Sequence, residues 1–216
     1  MKLDFDLNRY CAEGGAWGEA GDTVLPEGFA AGSGPAAGSA AGAASSASGA
    51  VFLKIWGPYS VLASAAEPSL FYRRLKREKA QVHGELEKIT LGLAGYIAGA
   101  LSRGTRIISL AEPFGIPALL GESSYREYAA SYLVRLLEAL GEDPLARGLI
   151  HLCPHCSVPL EFFGYLKDAG TELPGRGSYP ETLREYAAGE KLLLAGRRCV
   201  HTGENRSLRL FTIISP

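Results

Sequence analysis

The chain has 216 residues, a formal net charge of −1 and 47% hydrophobic residues, which is enough to bury one good core, and a single domain over 1–216 is expected for that length. A charge this close to zero, with no Lys/Arg run interleaved with aromatics, argues against a nucleic-acid partner, and no apolar run reaches the length of a membrane span. Met1-Lys-Leu-Asp-Phe-Asp-Leu7 lacks the charged-then-apolar order of a secretory leader, so a cytoplasmic location is expected; there, four cysteines serve more often as metal ligands or free thiols than as disulfides.

Between Lys2 and Arg9, Leu3, Phe5 and Leu7 alternate with Lys2, Asp4 and Asp6, the period of a half-buried strand. A glycine-rich loop follows from Glu13 to Asp22, with Cys11 at its edge as a packed thiol or, more remotely, a metal ligand. Every residue from Ala30 to Ala50 is Ala, Gly, Ser or Pro, so no large apolar group offsets the entropy of ordering the segment. A mobile loop is expected over 30–50, either a lid or linker or low-complexity sequence without a role.

Val51-Phe-Leu-Lys-Ile-Trp56 reads as an apolar strand ending in Gly57-Pro-Tyr-Ser60. The spacing of Leu86, Ile89, Leu91, Leu93 and Ile97 predicts a helix over 73–99. A strand is expected from Gly104 to Leu110, stopped by Ala111-Glu112-Pro113. Then comes a helix capped by Ser124, with Tyr128, Tyr132, Leu136, Leu137 and Leu140 inward and Gly141 at its end. Gly148 to Leu152 predicts a short buried strand, Phe162 to Leu166 a short helix, and Tyr179 to Ala188 a helix opened by Ser178 and Pro180. Leu192 to Ala195 and Leu208 to Ile214 complete the set as strands. Alternating strands and helices imply an α/β fold with a parallel sheet, either an open sheet or a (β/α)8 TIM barrel. Pro58, Glu112, His151, Cys153 and Cys199 all fall at the carboxyl ends of predicted strands, where barrel enzymes carry their active groups, and this favours the barrel.

The stretch His151-Leu-Cys153-Pro-His-Cys156 places soft-metal ligands directly after an apolar strand. Alternate residues of a strand share a face, so His151 and Cys153 are expected to leave the sheet together. Imidazole and thiolate are preferred ligands of Zn²⁺. With Cys199, in Gly196-Arg-Arg-Cys199-Val-His201, they make a three-ligand set that leaves a fourth position open, the pattern of catalytic zinc. A second set, Cys153, Cys156, Cys199 and His201, would be closed, the pattern of structural zinc. The third reading is that these thiols are simply packed in the core.

Three segments together resemble a known superfamily: Val51-Phe-Leu-Lys-Ile-Trp-Gly-Pro-Tyr-Ser60, Ser109-Leu-Ala-Glu112-Pro113, and His151-Leu-Cys153 with the later Cys199. They are similar to the uroporphyrinogen decarboxylases, corrinoid-dependent methyltransferases and cobalamin-independent methionine synthase, over roughly Val51 to the C-terminus. The resemblance implies a TIM barrel, incomplete or shortened in a chain of this length. It also implies Zn²⁺ on His151, Cys153 and Cys199 and a small thiol substrate in the open position, where the metal strips the thiol's proton and leaves a nucleophilic sulfur. Glu112 would face the pocket as a polar anchor or serve only as a turn residue before Pro113. The methyl donor would be a folate or a corrinoid; no DxHxxG corrinoid motif is present, so a corrinoid would arrive on a separate protein. The competing functions are a non-catalytic relative with a structural zinc and a porphyrinogen decarboxylase. A homodimer is expected, since a short chain leaves strand edges to cover.

Overall fold

Two five-residue runs, Ile107–Ala111 (β2) and Gly148–Leu152 (β3), are buried at every position, the signature of strands covered on both faces. They form the middle of a sheet in the computed structural model, which describes residues 52–142, 147–200 and 207–214. The expected strand at Leu3–Leu7, Cys11, the tract over 30–50 and His201 lie outside the described residues.

The described strands are Phe52–Trp56 (β1), β2, β3, Leu166–Leu173 (β4), Leu192–Gly196 (β5) and Leu208–Ile213 (β6). They form one six-stranded sheet in the order β1-β2-β3-β5-β6-β4. β1, β2, β3 and β5 run parallel, whereas β6 pairs antiparallel with both β5 and β4. The α/β class is as expected; the sheet is mixed, and the described strands form an open order rather than a closed (β/α)8 barrel.

Helices cover both faces. On one lie Pro58–Ser64 (α1), Pro68–Arg77 (α2), Lys79–Ser102 (α3) and Ser131–Gly141 (α4), together with Pro154–Phe162 (α5). Their apolar sides meet Leu53, Ile55, Ile108, Leu110, Ile150 and Leu152. On the other lies Tyr179–Ala187 (α6), whose Tyr179, Leu183 and Ala187 pack on Ile107, Leu149, Ala195 and Leu208. The alternation within β3 is therefore literal: Leu149 faces α6 and Ile150 faces the larger core.

Several elements depart from the sequence expectation for identifiable reasons. The helix predicted over 73–99 is two helices, α2 and α3, separated at Glu78 with φ −125° and ψ 38°. Buried Arg74 holds the break, its Nε 3.0 Å from Glu78 Oε2 and its Nη2 2.8 and 2.9 Å from the two oxygens of Glu85. The helix expected to start at Ser124 begins earlier, in short turns at Pro117–Leu120 and Glu122–Ser124, and passes through a π-helical turn, Tyr125–Ala130, before α4. The short helix expected at Phe162–Leu166 is instead the end of α5 and the start of β4, because Leu166 pairs with Ile213 of β6. α6 is opened as expected, by a reciprocal box in which Ser178 and Glu181 satisfy each other's terminal groups.

Candidate functional site

The carboxyl ends of β1, β2 and β3 carry three short segments that fasten to one another. After β1, the Gly57 N–H donates to the Ala111 carbonyl at 2.8 Å; after β3, the Cys153 N–H donates to the Leu110 carbonyl at 3.0 Å. Parallel pairing thus places Gly57-Pro-Tyr-Ser60, Glu112 and Cys153-Pro-His-Cys156 side by side.

Glu112 is the hub. It is 1% exposed, and its two carboxylate oxygens accept from the first N–H groups of α1, Tyr59 N at 3.2 Å and Ser60 N at 2.8 Å. Those N–H groups have no partner within the helix, so a carboxylate from the next strand satisfies them. Ser60 Oγ accepts from Phe114 N at 3.1 Å, tying the turn after β2 to the same point. The approach is so close that a Cβ on Gly57 would sit 2.2 Å from Glu112 Oε1. Burial raises the Glu112 carboxyl to about 7, against the opposing pull of the hydrogen bonds from Ser60 and Tyr59. Neither the turn reading of Glu112 nor its anchor reading contained this contact. The available signal was Gly57-Pro58 followed by a hydroxyl residue at a helix start, beside a lone acidic residue at the next strand's end.

Cys153 and Cys156 occupy the first turn of α5. Cys153 is the N-cap, with φ −61° and ψ 158°, and is half-buried, whereas Cys156 is 2% exposed. Their sulfurs are 4.0 Å apart, and Cys156 Sγ also lies 3.8 Å from the Leu110 carbonyl oxygen. The hydrogen bond from Cys156, together with the first-turn N–H groups of His155 and Cys156, favours the Cys153 thiolate over the thiol, lowering its pKa to about 6. The same bond and complete burial push the Cys156 thiol up. None of Cys153, Cys156 and Cys199 is in a disulfide.

His151 is placed differently. Its ring is fully buried, packs edge-on against Tyr179 of α6 at 5.7 Å between centroids, and therefore belongs to the face opposite Cys156, which is part of the larger core. Both ring nitrogens are engaged, Nδ1 with Ser109 Oγ at 3.0 Å and Nε2 with the Arg198 carbonyl at 2.8 Å. A carbonyl only accepts, so Nε2 carries the proton and Nδ1 accepts from Ser109. Burial lowers the imidazole to about 4. The expectation that His151 and Cys153 leave one face together required β3 to continue to Cys153; the strand stops at Leu152 and Pro154 opens a helix, so the alternation ends one residue too soon. Cys199 lies beyond β5, near enough to Tyr179 to influence its phenol, on the His151 side of the sheet.

Against this geometry the set His151, Cys153 and Cys199 does not fit zinc: His151 has no unengaged nitrogen and faces away from the thiol pair. Among the described residues no group of three or more His, Cys, Asp or Glu side chains is placed to hold a metal ion. Cys153 and Cys156 keep a spacing close to that of two zinc ligands, their sulfurs 4.0 Å apart where two sulfurs on one tetrahedral zinc at 2.3 Å each lie about 3.8 Å apart.

The sequence model of one family, uroporphyrinogen decarboxylase (URO-D), matches residues 48–173, more than half of the 216-residue chain. This chain belongs to the URO-D family. No curated protein and no solved structure matches it. The URO-D match contains Gly57, Glu112, His151, Cys153 and Cys156 and stops before Cys199 and His201, so the converging segments lie within the shared region and the two later ligand candidates do not. No helix among the described residues is long and apolar enough to cross a membrane.

Proposed function

We propose that this URO-D family member is a methyltransferase that passes a methyl group from a corrinoid protein or a folate to the sulfur of a small thiol. The observation that carries the reading is the half-buried Cys153, disposed towards thiolate and held 4.0 Å from Cys156, beside buried Glu112 at the carboxyl ends of parallel strands. Thiol-handling groups at that position suit sulfur chemistry better than decarboxylation, which calls for cationic groups around an acidic substrate. The (β/α)8 ancestry that the family implies for β1, β2, β3 and β5 is part of the same proposal.

In this reading Cys153 and Cys156 would hold Zn²⁺ as two of its donors, and the metal would acidify the acceptor thiol. His151 is not a ligand but a buried brace between β2 and the turn after β5. Glu112, buried with both oxygens accepting from the start of α1, holds the strand end beside the thiol pair, and the proton of the acceptor thiol passes to solvent. The acceptor's sulfur lone pair then forms the S–CH3 bond as the donor's bond to the methyl carbon breaks.

The experiment is a methyl-transfer assay with methylcobalamin or a methylated folate and small thiols, run beside metal analysis of the purified protein. Thioether formation and bound zinc that Cys153→Ser abolishes, with zinc retained in His151→Phe, is the expected outcome. Release of CO2 from a porphyrinogen without thioether formation would replace this reading with a decarboxylase. Zinc without either reaction would replace it with a structural site.

A further inference from the structure

Cys153 and Cys156 differ in their surroundings in a way that metal binding does not call for. They stand three residues apart at the start of a nine-residue helix, the first half-buried at the N-cap and the second sealed in the core. Their sulfurs lie 4.0 Å apart, and a disulfide requires about 2.05 Å. Rotation of the half-buried Cys153 side chain from one staggered well to another moves its sulfur by about 2–3 Å, a movement as large as the gap to be closed. An attacking sulfur has to be reachable from solvent, and a resolving sulfur has to reach the first while being hidden from competing thiols. Cys153 and Cys156 meet these two requirements in that order.

We propose that Cys153-Pro-His-Cys156 is a redox-active dithiol, with Cys153 the attacking and Cys156 the resolving thiol, oxidised by low-molecular-weight disulfides. The Cys153 thiolate attacks one sulfur of the small disulfide, whose S–S bond breaks and whose other half leaves as a thiolate. A mixed disulfide on Cys153 results. Cys156 then attacks Cys153 Sγ, its proton passing to the second departing thiolate, and the Cys153–Cys156 bond forms. Two electrons and two protons have moved from the protein to the small disulfide, giving two small thiols. The inference goes beyond methyl transfer and does not require it. Where both hold, the disulfide consumes the two sulfurs placed in the methyl-transfer site and makes that activity redox-dependent.

The test uses the full chain, reduced and kept in a chelator, then equilibrated in glutathione buffers of graded ratio and quenched with an alkylating agent. Intact mass and peptide mapping give the expected result when Cys153 and Cys156 lose their alkylation together and appear in one bridged peptide, in a single reversible transition. Cys156→Ser should accumulate a glutathione adduct on Cys153, and Cys153→Ser should accumulate none at position 156. The proposal is overturned if Cys153 pairs with Cys11 or Cys199 instead, if the wild type stops at the mixed disulfide, or if both thiols stay alkylatable in the most oxidising buffer. Because zinc is chelated and no methyl donor is present, failure here is separable from failure of the methyl-transfer reading.

Discussion

Replacing Glu112 by glutamine keeps the shape of the side chain while removing an ionisable group from a fully buried position. In the folded protein burial raises this carboxyl from 4.5 to about 7, a difference of about 3 kcal/mol at roughly 1.4 kcal/mol per tenfold change in proton affinity. The folded state holds the proton more tightly than the unfolded chain. Its contribution to stability is therefore fully present below pH 4.5 and is lost as the pH rises through about 7. Glutamine has no such dependence. It carries a pH-independent defect instead: one acceptor oxygen faces the two N–H groups of Tyr59 and Ser60, and leaving one of them against an NH2 costs about 1–3 kcal/mol. Urea unfolding of both proteins across this range, followed by tryptophan fluorescence, isolates the effect because every other titrating group cancels in the difference. The disadvantage of Glu112→Gln should shrink by about 3 kcal/mol from the acid to the neutral end. A difference that stays constant with pH refutes the assignment of Glu112 as a buried carboxyl with a raised proton affinity.

Gly57→Ala puts a methyl group 2.2 Å from Glu112 Oε1, which cannot be accommodated without breaking the contacts to Tyr59 and Ser60; a loss of about 2–4 kcal/mol is expected, and pairing with Glu112→Gln in a double-mutant cycle should give a coupling of at least 1 kcal/mol. Additive effects would mean that the two residues do not meet. His151→Phe keeps the packing on Tyr179 but strands the Ser109 hydroxyl and the Arg198 carbonyl, so stability at neutral pH should fall by about 1–3 kcal/mol. Because burial depresses this imidazole from 6.5 to about 4, its contribution is present above 6.5 and lost as the pH falls towards 4, and the variant should lack that acid-side loss. The same loss in wild type and variant would show that His151 is not buried as a neutral ring.

Much of the scaffold was legible because its strands are short, apolar and bounded by glycine or proline. β1, β2, β3, β5 and β6 were all anticipated within one to three residues, and so was the opening of α6 at Ser178. β4 was not, since Lys167, Asp168, Glu172 and their exposed neighbours carry no strand period; its pairing with β6 rests on the ladder and on Arg209 reaching Asp168 at 2.7 Å, which no local pattern announces. At the strand ends the expected pairing of His151 with Cys153 was a misreading of where β3 stops. Glu112, His151, Cys153 and Cys156 all lie in or beside one cluster of strand ends, yet which thiol met which ligand depended on where β3 stopped. Pro154 marked that point in the sequence; extending the strand's alternation across it put His151 with the wrong neighbours.

Glu112 and His151 show why these strand ends are built as they are. They sit at the ends of successive parallel strands and belong to opposite sides of the sheet, and each is fully buried with its polar atoms satisfied. Their titrations oppose each other: with rising pH Glu112 loses stability up to about 7, while His151 regains it up to 6.5. Each is worth about 3 kcal/mol over its window, and the windows overlap across most of the mildly acidic range. The contributions of these two groups therefore nearly cancel there, although each is large. Each single variant should tilt the curve in the opposite sense to the other, and the double variant should level it again. A double variant that tilts as strongly as either single variant would mean that the two groups do not balance.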